Sequence, residues 1–281
     1  MKSVFVTGTT SGIGLYTARH MHALGWQVFA GVYPGEDTTK LTEGINDSAR
    51  LHVVDIDITN AEMVATAQAK IAQHTDKLHG LVNNAGISVS GPLEVLPLDD
   101  IRRQMEVNVI GQIAVTQAMM PMIRTATGRI VNVASILGRL VAPFSGPYCA
   151  SKFALEAVTD ALRLELSPWG IHVVAIEPTN IATDIWEKEY EWQEVMREEL
   201  PPGAKDLYGE ALQTLNRTTR EQAALGVTPQ VIADAIGDAL TATVPKTRYT
   251  VGPSAGLYNM LWRFLPDRMR DRILLRQINM N

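Results

Sequence analysis

Short apolar runs rich in β-branched residues recur along the chain, and each is followed by a segment whose apolar positions fall at helical spacing. Val4–Thr7, Gln27–Val32, Leu51–Ile56, Gly80–Asn83, Arg129–Ala134, Ile171–Ile176 and Arg248–Val251 read as strands. Helical periodicity covers about Ile13 to Leu24, Ala61 to His74, Asp99 to Arg124, the stretch from Tyr148 to Pro168, and Thr228 to Thr241. Gly25 and Gly170 supply stops, and Pro229 sits in a first turn, where its missing N–H costs nothing. Strand–helix alternation without a composition break predicts one α/β domain over 1–281, a doubly wound, seven-stranded, mostly parallel sheet with helices on both faces. The charged stretch from Asp184 to Gly226, with Pro201-Pro202-Gly203, reads as a lid over the ligand end of that sheet. A further amphipathic segment spans about 254–276.

Gly8-Thr9-Thr10-Ser11-Gly12-Ile13-Gly14 stands between the first strand and the first helix. In that context the glycines let the backbone turn tightly and approach a pyrophosphate, which the helix N-terminus then holds through its free N–H groups. The second strand ends in Val32-Tyr33-Pro34-Gly35, with no acid at the usual place for ribose hydroxyls and no base for a 2′-phosphate. Glu36 and Asp37 follow and would repel such a phosphate, which favours NAD over NADP. Asp57, with Ile58 after it, leaves the third strand where a carboxylate could meet an adenine amino group, while Thr59-Asn60 reads as a helix cap. Asn84-Ala85-Gly86 suits close approach of backbone to a ligand. Asn108 lies in an apolar helical stretch, where it must bond to backbone or serve a site.

Tyr148 and Lys152 are four residues apart and share a helix face. A phenol ordinarily has a pKa of about 10. An ammonium one turn away favours the phenolate and brings the group toward acid/base work. Ser135, at the end of the fifth strand, could hold a substrate oxygen beside it. The composition agrees with an enzyme: 46% apolar, 20% charged and a net charge of −5 describe a globule with a sizeable core and no nucleic-acid footprint. The single cysteine, Cys149, excludes an intrachain disulfide and fits a reducing compartment. No leader and no spanning apolar run is evident, so the expected location is cytoplasmic. The histidines form no cluster at ligand spacing, and no catalytic metal is expected.

In these motifs the chain resembles the short-chain dehydrogenase/reductase family, over nearly its whole length. Thr7-Gly8 through Gly14, Asn83-Asn84-Ala85-Gly86, Ser135, Tyr148 and Lys152 match in order and spacing, and Pro178-Thr179-x-x-x-Thr183 matches the family's Pro-Gly-x-x-x-Thr except for Thr179. The resemblance implies a Rossmann fold and hydride transfer between NAD(P) and a secondary alcohol or ketone. It implies Tyr148 as acid/base, Lys152 as its activator and a ribose ligand, Ser135 as the substrate-oxygen holder, and Asn108 as the holder of a relay water. It also implies cofactor contacts from Gly8, Thr10, Ser11, Gly12, Ile13, Gly14, Tyr33, Asp57, Ile58, Asn84, Ala85, Gly86, Pro178, Thr179, Ile181 and Thr183. Leu137-Gly138-Arg139, Pro147-Tyr148-Cys149 and the Ala239–Tyr249 stretch resemble the branch with 3-hydroxybutyrate, retinol and some hydroxysteroid dehydrogenases, which implies an apolar skeleton. Val89, Leu137, Val141, Phe144 and Trp186 would then wall the substrate pocket. A dimer or tetramer is implied as well. The alternatives are a small hydroxy acid as substrate, or a dinucleotide-binding protein without turnover. A membrane surface near residues 257–276 is the less favoured role of that segment.

Overall fold

The computed structural model describes residues 1–45, 47–181, 195, 198, 200–224, 226–253 and 264–278. The chain starts with β1 (Ser3–Thr7), α1 (Gly12–Ala23), β2 (Gln27–Val32), the short α2 (Thr39–Thr42), β3 (Leu51–Asp55), α3 (Ala61–Ala72) and β4 (Gly80–Asn83). It continues with α4 (Leu98–Met105), α5 (Gln112–Ala126), β5 (Arg129–Val133), α6 (Gly146–Leu166) and β6 (His172–Pro178). Last come α7 (Pro202–Ala224), α8 (Pro229–Thr241), β7 (Arg248–Val251) and α9 (Asp267–Gln277). The strands form one seven-stranded sheet in the order β3-β2-β1-β4-β5-β6-β7. Every pairing in it is parallel, so "mostly parallel" becomes wholly parallel.

Alternation along the strands divides the core in two. Val4, Val6, Val28, Ala30, Val82, Val131, Val174 and Ile176 face α1 and α8, meeting Ala18, Met21, Ile232 and Ile236. Phe5, Phe29, Leu81, Ile130 and Val173 face the other way, toward Val64 and Ile71 of α3 and Val115, Met119 and Ile123 of α5. Both faces being apolar is what commits the strands to a covered parallel sheet. The chain runs outward from β1 to β3 and then returns to β4 on the other side of β1, which leaves a crevice beyond the carboxyl ends of β1 and β4.

One long helix was expected from Asp99 to Arg124. Two α-helices are found, joined by a π-helical turn at Glu106–Gly111 that contains Asn108. Such turns lodge within helices at functional sites. Asn60 caps α3 by accepting from the N–H groups of Glu62 and Met63, the role its sequence position suggested. Among the described residues no helix is long and apolar enough to cross a membrane.

Candidate active site

The glycine loop and the Asn84 segment meet in the crevice between β1 and β4. Thr7 Oγ1 accepts from the backbone N–H groups of Asn84 and Ala85, each at 3.0 Å. Asn84 Nδ2 donates to the carbonyls of Thr7 at 2.9 Å and Gly8 at 3.0 Å. Gly8 has φ +69°, and a Cβ there would stand 2.9 Å from Ala85 Cα. At Gly14 a Cβ would stand 2.0 Å from the Gly8 carbonyl oxygen, so the loop closes only with glycine at that position. Ser11 caps α1 without a side-chain hydrogen bond, and no acid occupies the first turn of that helix. The N–H groups and the positive end of the helix dipole are therefore presented to an anion, as a pyrophosphate requires. Thr10 and Ile13 belong to the same turn; Thr10 Oγ1 donates to Glu36 at 2.5 Å. Tyr33 is exposed at the end of β2. The carboxylate of Asp57 accepts from Thr59 N–H at 2.9 Å and Thr59 Oγ1 at 2.7 Å, and Ile58 is buried behind it.

Beyond β4 the backbone continues extended, and a stripe of amides grips it. Gln112 Nε2 donates to the Ala85 carbonyl. Asn108 donates to the Ile87 carbonyl and accepts from the Ile87 N–H, both at 2.9 Å. Gln104 Oε1 accepts from the Val89 N–H at 2.7 Å. Asn108 Nδ2 also donates to Ser151 Oγ at 3.0 Å, and Ser151 in turn donates to the Tyr148 carbonyl at 2.8 Å. Asn108 thus connects the extended segment to the helical turn carrying Tyr148 and Lys152. The partner amides Gln104 and Gln112 were missed in the sequence, although their spacing of four on either side of Asn108 was there to be seen.

Ser135 follows β5 and is nearly buried; its hydroxyl accepts from the Leu137 N–H at 3.1 Å, capping the 3₁₀ turn Ile136–Gly138. Pro147 opens α6 just before Tyr148. Lys152 is 6% exposed, and its Nζ donates to the Val133 carbonyl at 2.9 Å while lying 5.6 Å from the centroid of the Tyr148 ring. Burial pulls the Lys152 ammonium down to about 8, with the Glu156 carboxylate working in the opposite direction. Cys149 is buried, and burial pushes its thiol up, which marks it as packing and not as a nucleophile.

A cavity of about 340 Å³ opens beside the first turn of α6, lined by Gly91, Pro92, Leu93, Val141, Phe144 and Tyr208, with Glu94 among the other lining residues. The Phe144 carbonyl accepts from the Gly91 N–H at 2.7 Å, holding the two walls together. The Phe144 and Tyr208 rings meet edge-on at 5.9 Å, and Tyr208 donates to Glu94 at 2.8 Å. Of the residues expected to wall the pocket, Val141 and Phe144 line this cavity. Val89 is buried in a small cluster with Leu96, Leu200, Ala204 and Leu212, and Leu137 is half-buried. Pro178 ends β6, and Thr179 N–H donates to the Val251 carbonyl at 2.9 Å. The Thr179 side chain turns toward β7, where a Cβ on Gly252 would stand 2.0 Å from its Oγ1. Ile181 is buried and bridges to Val227. Thr183 and Trp186 lie outside the described residues, as do most of 184–199 and 254–263. A larger cleft, about 540 Å³, is lined by Arg19, His20, His22 and Arg50 and by none of the candidate residues. Its cations are engaged locally, Arg50 with Asp47 at 2.5 Å and Arg19 with the Lys40 carbonyl at 2.6 Å.

The chain is similar to known proteins over most of its length. A family model described as short chain dehydrogenase matches residues 2–194. Retinol dehydrogenase 16 of Mus musculus is 36% identical over 97% of this chain and 87% of its own length. The 17-beta-hydroxysteroid dehydrogenase type 6 of Homo sapiens is 36% identical over 98% and 88%. The NADPH-dependent 3-dehydrocapnine reductase of Ornithobacterium rhinotracheale is 32% identical over 99% and 98%. Among solved structures, a short chain dehydrogenase from Burkholderia cenocepacia in complex with NADP superposes with a TM-score of 0.71 at 26% identity, covering 98% of this chain and 99% of that one. The chain belongs to the short-chain dehydrogenase/reductase family and is, by class, an NAD(P)-dependent alcohol dehydrogenase or ketone reductase.

Proposed function

We propose that Tyr148 exchanges the proton and Ser135 holds the oxygen of a secondary alcohol or ketone carried on an apolar skeleton. The observation that carries this reading is the buried Lys152 ammonium, 5.6 Å from the Tyr148 ring centroid and donating to the carbonyl of Val133, two residues before the nearly buried Ser135. Bound NAD(P) supplies hydride acceptance or donation, chemistry no side chain provides. The glycine turn with the N-terminus of α1 would hold its pyrophosphate, and Asn84–Gly86 and Pro178–Thr179 would flank it. Lys152 favours the phenolate electrostatically, so Tyr148 can take a proton from an alcohol or return it to an alkoxide. Ser135 and Tyr148 fix the reacting oxygen from two sides, and such positioning contributes much of the rate. Asn108 sets Ile87 against the Tyr148 turn, where a relay water would join Lys152 to solvent.

Apolar walls of Pro92, Leu93, Val141 and Phe144 support an apolar substrate, as do the names of the retinol and hydroxysteroid relatives. A small hydroxy acid fits less well, because among the described residues the cavity lining includes Glu94 and no lysine, arginine or histidine. Glu36, tied to the glycine loop through Thr10, puts a carboxylate where a 2′-phosphate would arrive and supports NAD, against the NADPH in the name of one relative. Glu36→Arg should shift the ratio of kcat/KM toward NADPH by about tenfold, since it exchanges a repulsive charge for an attractive one. An unchanged ratio places specificity elsewhere.

The deciding assay is oxidation of NADH and NADPH with retinal, a 17-ketosteroid, a long-chain 2-ketone and acetoacetate, for the natural chain and Tyr148→Phe. Turnover with the apolar ketones, lost about 10²–10⁴-fold in the variant with dinucleotide affinity kept, is the expected result. Full activity in Tyr148→Phe overturns the assignment, and turnover of acetoacetate alone overturns the apolar substrate.

A further inference from the structure

Behind the Lys152 turn, charged side chains from separate parts of the sheet and α6 converge in a place the mechanism does not use. Glu156 lies one turn beyond Lys152 on α6 and is nearly buried; Glu177, next to Pro178 in β6, is 1% exposed. Arg139, directly after the turn capped by Ser135, places Nε 2.5 Å from Glu177 Oε1 and Nη2 4.0 Å from Glu156 Oε2. Arg248 of β7 reaches Glu156 Oε2 at 3.0 Å, Glu177 Oε1 at 3.5 Å and Asp160 Oδ2 at 2.7 Å. Thr250 donates to Glu177 Oε2 at 2.7 Å.

The turn and the helix also touch directly. A Cβ on Gly138 would stand 3.0 Å from the Lys152 carbonyl oxygen and 3.0 Å from Glu156 Cγ, so the Ser135 turn lies flat on the turn that carries Lys152. Van der Waals contact alone permits sliding; the charge-assisted hydrogen bond from Arg139 to Glu177, with Glu156 at ion-pair distance, resists it. A cluster built for stability would satisfy its buried atoms, yet Glu156 Oε1 is buried with no hydrogen-bond partner. Glu156 and Glu177 are buried while the Arg139 side chain is 40% exposed, and an ion pair of this kind is weak evidence for a stabilising role.

We propose that Arg139 is a positioning residue for the reaction: by bridging Glu177 and Glu156 it sets the Ser135 turn against the Lys152 turn, and so fixes the Ser135 hydroxyl relative to the Tyr148 phenol. The inference rests on the assignment of Ser135, Tyr148 and Lys152 made above. It adds a residue that touches none of the reacting atoms and is reached through Glu156 and Glu177.

The test is steady-state kinetics of Arg139→Met with the best ketone of the panel, together with dinucleotide titration by calorimetry and the primary deuterium isotope effect on hydride transfer. Misplacement by about 1 Å can cost 10²-fold. The expected result is kcat lower by about ten- to a hundredfold, dinucleotide Kd within threefold, and a larger isotope effect as the chemical step becomes limiting. A loosened fold without misplacement would lower Tm and weaken dinucleotide binding while leaving the isotope effect as it was. A folded Arg139→Met with kcat within twofold of the natural chain overturns the proposal. Should that variant fail to fold, the double variant Arg139→Gln/Glu177→Gln removes one charge of each sign, and the same fall in kcat is expected of it; natural kcat there overturns the proposal as well. Tyr148→Phe runs alongside. If it retains turnover, the parent assignment fails; if it is inactive while both Arg139 variants are unimpaired, only the positioning role fails.

Discussion

Lys152 is held in a place that resists its charge. Its ammonium is buried, and the group titrates at about 8 instead of its ordinary 10.5. A base whose pKa falls on folding binds fewer protons in the native state than in the unfolded one, so stability rises with pH across the window between the two values. Urea unfolding of the natural chain and of Lys152→Met, followed from pH 7.5 to 10.5, should show the natural chain gaining stability relative to the variant as pH increases. Parallel curves would mean that Lys152 keeps its usual affinity for protons. Gly14→Ala gives a second test at this scale: a Cβ 2.0 Å from the Gly8 oxygen cannot be relieved by a side-chain rotation. Dinucleotide affinity should drop by at least about tenfold, a cost of about 1.4 kcal/mol or more, as read by calorimetry. Tyr148, Lys152 and Ser135 were legible in the sequence because each is tied to an element boundary or a helical spacing. Arg139, Glu156, Glu177 and Arg248 were not, because they meet only through strand order, β7 pairing with β6 from some 70 residues away. No local pattern carries that information.

At the scale of elements, the stretch from Leu98 to Ala126 behaves as a clamp. Gln104, Asn108 and Gln112 hold backbone that has left the sheet and would otherwise lie unpaired in the interior. Leucine at Gln104 fits the space but strands the Val89 N–H. An orphaned buried donor costs about 1–3 kcal/mol, and Gln104→Leu should lose that much in denaturant unfolding. A loss below about 0.5 kcal/mol would show that the N–H finds another acceptor. The helical nature of the stretch was plain from its periodicity, whereas the π turn was not: inserting it changes the winding, not the apolar pattern. The stretch expected to form a lid is the opposite case: charge alternation marked the region, and of it residues 195, 198, 200–224 and 226 fall within the described residues.

For the molecule as a whole, two apolar layers sandwich a sheet whose middle strands are inaccessible from either side. Amide exchange should be slowest in β1, β4 and β5 and faster in β3 and β7, the sheet's two ends; uniform protection would contradict a core divided by the sheet. Fold class was readable early, since both-face apolar runs alternating with helices have few other solutions. The wholly parallel arrangement was not, because β7 could have entered in either direction on pattern alone.

The amide clamp works like a vernier. Gln104, Asn108 and Gln112 step along the helical stretch four residues at a time, while Val89, Ile87 and Ala85 step two at a time along the segment they hold. One step farther out the match ends: helix position 100 is an aspartate, and the Gly91 N–H donates to the Phe144 carbonyl instead. The change of partner thus falls at Ser90. Residues 85–89 are tied to the helical stretch that holds Asn108, while Gly91 is tied to the loop of Phe144. On the proposed assignment, a bulky substrate meets the Gly91 wall first and leaves the Ala85 segment to its amides.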